Sequence, residues 1–378
     1  LAKSEPRSIE LTTSNNPNEN GITDDTIVLG IEDTTNSFSL DEENRGFRLA
    51  FEERNEKGPI NGRRITWKGY TRASGADVDA AVVNARKLVL DDRVFALINI
   101  GGPEAMTLAK FAEENRVPYL FPHTTLFASR DQRYVFTSLP HCTGELRNIT
   151  QYLARDRAFK QIAIVRDTNE YGDIYQDLLG RYASEFGYTV SGVANVGVRE
   201  PEDLSEELKS VAGKSDAVFM ALYPAQARAL MSAKDKLGWN GVMIASGPLT
   251  DEQYLGAAGA SAEGTLGLSH FPDPVSSDEP GIVAYRAAMD KYHPGRQLNR
   301  YTLYGYVYGK LIVDALERAG RTLTRETFID AMEATTDWDS GGIIPPVSLS
   351  KDDHHAQRAG LISELSNGRF VPVGGWVE

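Results

Sequence analysis

Cysteine is nearly absent from this chain: Cys142 is the single thiol among 378 residues. One thiol excludes an intramolecular disulfide and a cysteine-based metal centre. Avoidance of thiols suits a reducing cytosol or a periplasm where stray thiols are a liability, and composition does not choose between the two. Long apolar runs are missing as well, none approaching the roughly 18 residues of a membrane-spanning helix. Basic residues are outnumbered, 40 against 53 acidic, for a formal net charge of −13. That balance argues against a broad patch for nucleic acid or an anionic membrane, though it leaves room for a local basic pocket. Catalytic and nucleotide signatures are also missing. No G-x-G-x-x-G follows an apolar strand, and neither a Walker sequence nor a G-x-S-x-G elbow occurs. No cofactor and no metal are therefore expected.

What is present is ordinary globular composition, 41% hydrophobic and 25% charged, with length enough for two or three domains. Leu1 to Gly21 is polar and aperiodic and reads as a loose arm. The first residue is not methionine, so a leader is expected to have been removed or left out. Beyond the arm, strand and helix signals alternate in two similar halves, from about Thr26 to Ser138 and from about Ile162 to Ser269. Thr26 to Ile31, Arg64 to Tyr70, Phe95 to Ile98 and Val117 to Phe121 read as strands of the first half. The intervening helices run from about Asp41 to Lys57, from about Ala76 to Leu90, and onward from Pro103. Asp41, Glu42 and Glu43 fall in the first turn of the first helix, where they suit its dipole.

The second half predicts strands over Gln161 to Val165, Tyr188 to Asn195, Asp216 to Ala221 and Val242 to Ala245, with helices from about Tyr171, Pro201 and Pro224. Such alternation predicts parallel sheets wrapped by right-handed crossovers. Three helices without strands follow, near Pro280–Tyr292, Tyr301–Ala319 and Arg325–Ala334, and Asn367-Gly368 then marks a hairpin between apolar runs. Two α/β halves with little chemistry in either suggest a clamp on a small molecule.

Ligands of open parallel sheets bind beyond the carboxyl ends of the strands. Those segments hold Ser39, the turn Gly101-Gly102-Pro103-Glu104, and His123-Thr124-Thr125 in the first half; in the second they hold Tyr171, Tyr223 and Gly247. Gly101-Gly102 before a helix offers N–H groups suited to an anion, although an ordinary helix entry explains the same residues. Thr124 and Thr125 add hydroxyls, and Tyr171 and Tyr223 wall a pocket or simply pack. Other features read as bland. His354-His355 beside Asp352-Asp353 reads as a solvated polar loop and not a metal site. Cys142 with His141 is adjacent in sequence, which rarely makes a catalytic pair. Asn148-Ile149-Thr150 fits a glycosylation sequon by chance within a helix, and Asp91-Asp92 reads as solvated surface.

Several segments resemble the leucine/isoleucine/valine-binding family of solute-binding proteins. They are Gly21 to Gly30 (GITDDTIVLG), Asn55 to Arg63 (NEKGPINGR), Asn115 to Phe121 (NRVPYLF), Tyr304 to Gly320 (YGYVYGKLIVDALERAG) and Pro345 to Arg358 (PPVSLSKDDHHAQR). The likeness runs over nearly the whole chain after Gly21, in order. It implies a type I periplasmic binding fold: two Rossmann-like lobes, each a parallel sheet wrapped by helices, joined by three hinge crossovers near Cys142, His270 and Gly360. The lobes would comprise 22–142 with 270–359, and 143–269 with 360–378. The resemblance further implies a periplasmic or otherwise extracytoplasmic receptor, a monomer, that delivers a small solute to the permease and ATPase of an ABC importer.

Carried over by position, the family's ligand contacts fall on Ser39, Gly102, Pro103, Glu104, Thr124, Thr125, Tyr171, Tyr223 and Gly247, with His123 and Glu104 supplying unusual polarity. Amino-acid binders usually carry a serine or threonine at the Gly102–Glu104 turn and an acid near Gly247. This chain has Gly-Pro-Glu and Ser-Gly-Pro-Leu there. The expected ligand is therefore an amino acid or a related amide, urea or aromatic or organic acid, not an unmodified branched-chain amino acid. A sensory receptor of the same fold is the alternative, and a two-lobed enzyme the third reading.

Overall fold

The computed structural model describes residues 21–35, 37–73, 77–102, 104–125, 132–197, 201–250 and 256–378, without the side chains of 256–258. Pro103 and the arm before Gly21 lie outside the described residues. The first half runs β1 (Thr26–Ile31), β2 (Asp33–Thr34), α1 (Phe38–Glu56), β3 (Arg64–Lys68), β4 (Thr71–Arg72), α2 (Val78–Arg86), β5 (Leu97–Ile98), α3 (Ala105–Asn115), β6 (Tyr119–Leu120) and β7 (Val135–Phe136). The second runs α4 (Cys142–Arg155), β8 (Gln161–Asp167), α5 (Glu170–Phe186), β9 (Thr189–Val196), α6 (Ser205–Ala212), β10 (Ala217–Ala221), α7 (Pro224–Leu237), β11 (Val242–Ala245) and β12 (Leu266–Ser269). Helices α8 (Pro280–Tyr292), α9 (Arg300–Ala319) and α10 (Arg325–Glu333) follow, and the hairpin β13 (Gly360–Ser366), β14 (Arg369–Val377) closes the chain.

Both sheets use one order. The first is β3-β1-β5-β6-β7, all parallel; the second is β9-β8-β10-β11-β12, all parallel, extended antiparallel by β13 and β14. Each sheet thus reverses direction of winding between its first and third strands, β1/β5 and β8/β10, where α/β folds open a crevice. Helices cover both faces because the central strands are apolar on both. On β8, Ile162 and Ile164 join the core under α4 and α5, while Ala163 and Val165 join the one under α6 and α7. That alternation is the two-residue repeat of a pleated strand.

The first core gathers Ile27, Leu29 and Ile31 of β1 with Phe47 of α1, Tyr285 of α8, Leu311 of α9 and Phe328 of α10. The late helices therefore belong with the first sheet, and the late hairpin with the second. The chain passes between the two bodies three times, and the passing segments are tied side by side. Thr137 N donates to His354 O (3.0 Å) and Ala356 N to Thr137 O (2.9 Å), while Gln357 Nε2 donates to His270 O (2.7 Å).

Helix α9 crosses α1 at backbone contact. A methyl group on Gly46 would lie 2.0 Å from Thr302 O, and one on Gly305 would lie 1.9 Å from Glu43 O. Glycines on one face of YGYVYG admit α1, while Tyr304 and Tyr308, one residue before each of Gly305 and Gly309, turn toward β6: Tyr304 Oη donates to Phe121 O (2.6 Å) and Tyr308 stacks on Phe121 (centroids 4.8 Å apart). Those contacts hold Phe121 at φ 54°, a left-handed conformation that a bulky side chain rarely adopts. Asn99 does the same after β5, at φ 51°. These turns end β5 and β6 after two residues each, shorter than the alternation predicts.

The structure departs from the sequence reading in other places. Helix α1 begins at Phe38, so Glu42 and Glu43 sit beyond its first turn and are buried rather than exposed to the helix dipole. The helix expected to Leu90 passes into a π-helical turn over Lys87–Asp91. The pairs β2/β4 and the strand β7 escaped prediction, being two residues long. The His354-His355 stretch is not a solvated loop. His354 stacks on Phe136 (4.1 Å) and His355 Nδ1 meets Thr137 Oγ1 (2.8 Å), both rings buried at the crossover. Polar flanks, Lys351 and Asp352, are exposed and hid that burial in the sequence. Gly21 is anchored too, its carbonyl accepting from Val28 N at 2.7 Å.

Candidate ligand-binding site

The carboxyl ends of the two sheets present their loops to one another, and each loop is built on buried charge. In the first lobe Arg72, at the end of β4, is fully buried. Its Nε lies 2.9 Å from Glu32 Oε2, its Nη1 2.6 Å from Glu104 Oε1, and its Nη2 donates to Gly101 O at 3.2 Å. One guanidinium therefore ties the segments following β1 and β5. Asn84 Nδ2 donates to Glu32 Oε1 at 2.7 Å. Burial nevertheless raises the pKa of both Glu32 and Glu104, since two carboxyls share one cation away from water.

The Gly101-Gly102 turn at the start of α3 was expected to receive an anion. The structure places the Glu104 carboxyl beneath that turn, its Oε2 3.0 Å from where a Gly102 methyl would lie. Gly102 takes φ 122°, a conformation open to glycine. A resident carboxyl there weakens the attraction the turn holds for a second one.

After β6, His123 turns its Nδ1 onto the Glu43 carboxylate of α1 and packs against Tyr304 (5.2 Å) and Tyr301 (5.8 Å). Asn99 Nδ2 donates to Glu43 Oε2 at 2.8 Å. Thr124 and Thr125 are buried, and Thr125 O accepts from Cys142 N (2.9 Å), which joins the loop to the start of α4. Ser39 lies in the first turn of α1, partly exposed.

In the second lobe Tyr171 stacks on Tyr223 (5.8 Å) and packs edge-on to Tyr175 (4.9 Å). Its hydroxyl donates to Ser246 Oγ (2.8 Å), and Asn169 Nδ2 donates to Tyr223 Oη (2.9 Å). Burial raises the Tyr171 phenol well above its usual range. Asn169 caps α5 by accepting from Gly172 N (3.2 Å), which fixes the ring of Tyr171 at the helix start. Gly247, after β11, donates its N–H to Glu145 Oε1 at 2.8 Å. The Cys142 Sγ lies 3.8 Å from His141 Nδ1, and burial pushes the thiol up to about 12, against formation of the thiolate.

Of the expected residues, His123 and Gly247 line one cavity between the lobes, of about 30 Å³. Leu139, His270, Phe271, Arg300, Tyr301 and Tyr304 also line it. That volume holds water-sized occupants, not an amino acid. Tyr171, Tyr223, Gly102 and Glu104 are not among the cavity's lining residues. Sequence reasoning missed Arg72, Glu145 and His270. Glu145 carried a signal: it shares the buried face of α4 with Leu146 and Ile149, an unusual place for an acid. Among the described residues no group of three or more histidine, cysteine, aspartate or glutamate side chains is placed to hold a metal ion.

The periplasmic binding protein family model matches residues 31–369. The chain belongs to the periplasmic binding protein family. Within the family, the Leu/Ile/Val-binding protein homolog 2 of Brucella abortus is 25% identical over 296 residues, 77% of this chain and 76% of that one. A possible leucine/isoleucine/valine-binding protein from Rhodopirellula baltica superposes with TM-score 0.82 at 20% identity, covering 93% of this chain and 97% of the other. A branched-chain amino acid ABC transporter protein from Thermus thermophilus with bound valine superposes with TM-score 0.81 at 18% identity, covering 94% and 97%. The fold is thus that of type I periplasmic binding proteins. No helix among the described residues is long and apolar enough to cross a membrane.

Proposed function

We propose that this chain is the extracytoplasmic receptor of an ABC importer, which closes its two lobes on a small polar solute and presents it to a membrane permease and its ATPase. The observation that carries this reading is the meeting of equivalent strand ends from two sheets of one order, with His123 of the first lobe and Gly247 of the second facing a single cavity. Family membership supports it. The lobes are taken as 22–142 with 270–359, and 143–269 with 360–378. Ser39, Gly102, Pro103, Glu104, His123, Thr124, Thr125, Tyr171, Tyr223 and Gly247 are the proposed contacts. A ligand that touches both lobes favours the closed form by its differential affinity for the two states.

A thermal-shift screen across amino acids, amines, primary amides and carboxylates tests the reading, since a solute that binds only the folded state raises the melting temperature. Tyr171→Ala is expected to weaken the best hit in titration calorimetry while leaving the fold intact. Unchanged affinity would remove Tyr171 from the site.

A further inference from the structure

One guanidinium joins the cores of the two sheets. Arg300, the first residue of α9, is buried. Its Nε donates to Phe271 O (3.2 Å) and its Nη2 to Phe370 O (2.9 Å). The Phe271 ring belongs to the core of the first sheet, and the Phe370 ring to a core of the second. A second arginine reaches the opposite way. Arg369, beside Phe370 on β14, meets the Asp273 carboxylate with two nitrogens, Nε at 3.0 Å from Oδ2 and Nη2 on Oδ1.

Each end of this double contact is fixed to its own body. Arg286 of α8 donates through Nη1 to Val275 O (3.1 Å) and Ser277 O (2.7 Å), and Val275 N and Ser276 N donate back to the Asp273 carboxylate (3.3 and 3.2 Å). Asp273 is thereby held to the helices of the first sheet. On the other side Glu263 accepts from Asn367 N and Gly368 N, both at 2.8 Å, and Gly264 N donates to Leu365 O at 2.8 Å. The hairpin tip that carries Arg369 and Phe370 is thereby held to the second sheet. The Asp273 side chain is 4% exposed. Burial alone would raise its pKa, but Arg369 and Ser276 bring it below the usual carboxylate range, so it stays ionised. A two-point, charge-assisted contact with one partner buried is stronger than an ion pair of open surface.

The bodies that these arginines join are shut. The cavity between them is about 30 Å³ and Arg300 is part of its lining, so this arrangement is closed too far to enclose an amino acid. We propose that Arg300 and Arg369 form a clasp between the two lobes, which holds the protein shut upon itself and has to release before a solute enters. Apparent affinity is then reduced by the fraction of molecules that are open. The clasp goes beyond the receptor reading and rests on it only for the hinged lobes. Its test needs no solute, so its failure and the failure of that reading are told apart.

Small-angle X-ray scattering of the protein without added solute is expected to fit the shut arrangement. Arg369→Gln removes a half-buried charge and leaves both cores whole. It is expected to raise the ratio of open to shut molecules about tenfold, read as a larger radius of gyration with an unchanged circular dichroism spectrum. Asp273→Asn, which keeps an acceptor for Val275 N and Ser276 N, should open the protein equally, and the double variant no further, because all three remove one contact. Arg157→Gln is the control: it breaks a 3.7 Å pair with Glu364 inside the second lobe and should leave the scattering as it was. Three results overturn the clasp: a parent that is already open, folded Arg369→Gln and Asp273→Asn that scatter like the parent, or an Arg157→Gln that opens as far as they do.

Discussion

Arg72 and Glu104 pair at 2.6 Å with neither side chain exposed to solvent. Glu32 shares the same guanidinium, so removal of Arg72 would strand two carboxyls in the interior. Arg72→Met is expected to destabilise the fold by about 3–5 kcal/mol, read from urea denaturation, because an uncompensated buried charge is left behind. Combining it with Glu104→Gln should recover part of that loss.

Glu145 makes stability depend on pH in a stated direction. Its folded pKa, about 7, exceeds the ordinary 4.5, so the folded state holds a proton that the unfolded state gives up. That contribution is whole below 4.5 and is lost as pH rises to about 7. Glu145→Gln should therefore be more stable than the parent at mildly alkaline pH, by up to about 3 kcal/mol, with no advantage in acid. Equal stability across the range would contradict the burial of this carboxyl.

His355 acts with the opposite sign. Burial lowers it to about 4 from 6.5, so its contribution is present above 6.5 and is lost as pH falls through about 4. Replacing it with asparagine, which retains a polar partner for Thr137, is expected to flatten the acid limb of the stability profile. A limb as steep as the parent's would place the acid sensitivity elsewhere, His270 being the next candidate.

Gly305 permits α1 and α9 to touch, and a methyl group there would meet Glu43 O at 1.9 Å. Gly305→Ala should lower the melting temperature markedly, with a cost of about 3 kcal/mol from overpacking. It should also displace Glu43 and thereby His123.

Cys142 is buried and its thiol is raised to about 12. A thiol reagent at neutral pH is expected to leave the native protein unmodified and to label it only in denaturant.

Local signals carried the architecture. Continuous apolar strands such as TIVLGI, helix ends such as Lys57-Gly58-Pro59 and the Asn367-Gly368 turn are short-range features, and the two repeats of alternation followed from them. The short-range signals failed at Leu97–Ile98 and Tyr119–Leu120, where left-handed Asn99 and Phe121 cut the strands short. Nothing in the residues themselves announces that turn, because Phe121 is held there by Tyr304 and Tyr308, about 180 residues away.

The site divides in the same way. Strand ends named the loops, and two of the residues chosen on them, His123 and Gly247, line the cavity. Which charges those loops stand on could not be picked. Arg72, Glu104 and Glu32 come together from three separate segments, and Glu145 reaches Gly247 across 102 positions of sequence. The sequence by itself determined two parallel-sheet halves, the late helices and hairpin, and the family. Only the tertiary structure decided which acids are buried, which share a cation and which are left without a partner, because burial and pairing are properties of the segments that meet and not of the residue that carries the charge.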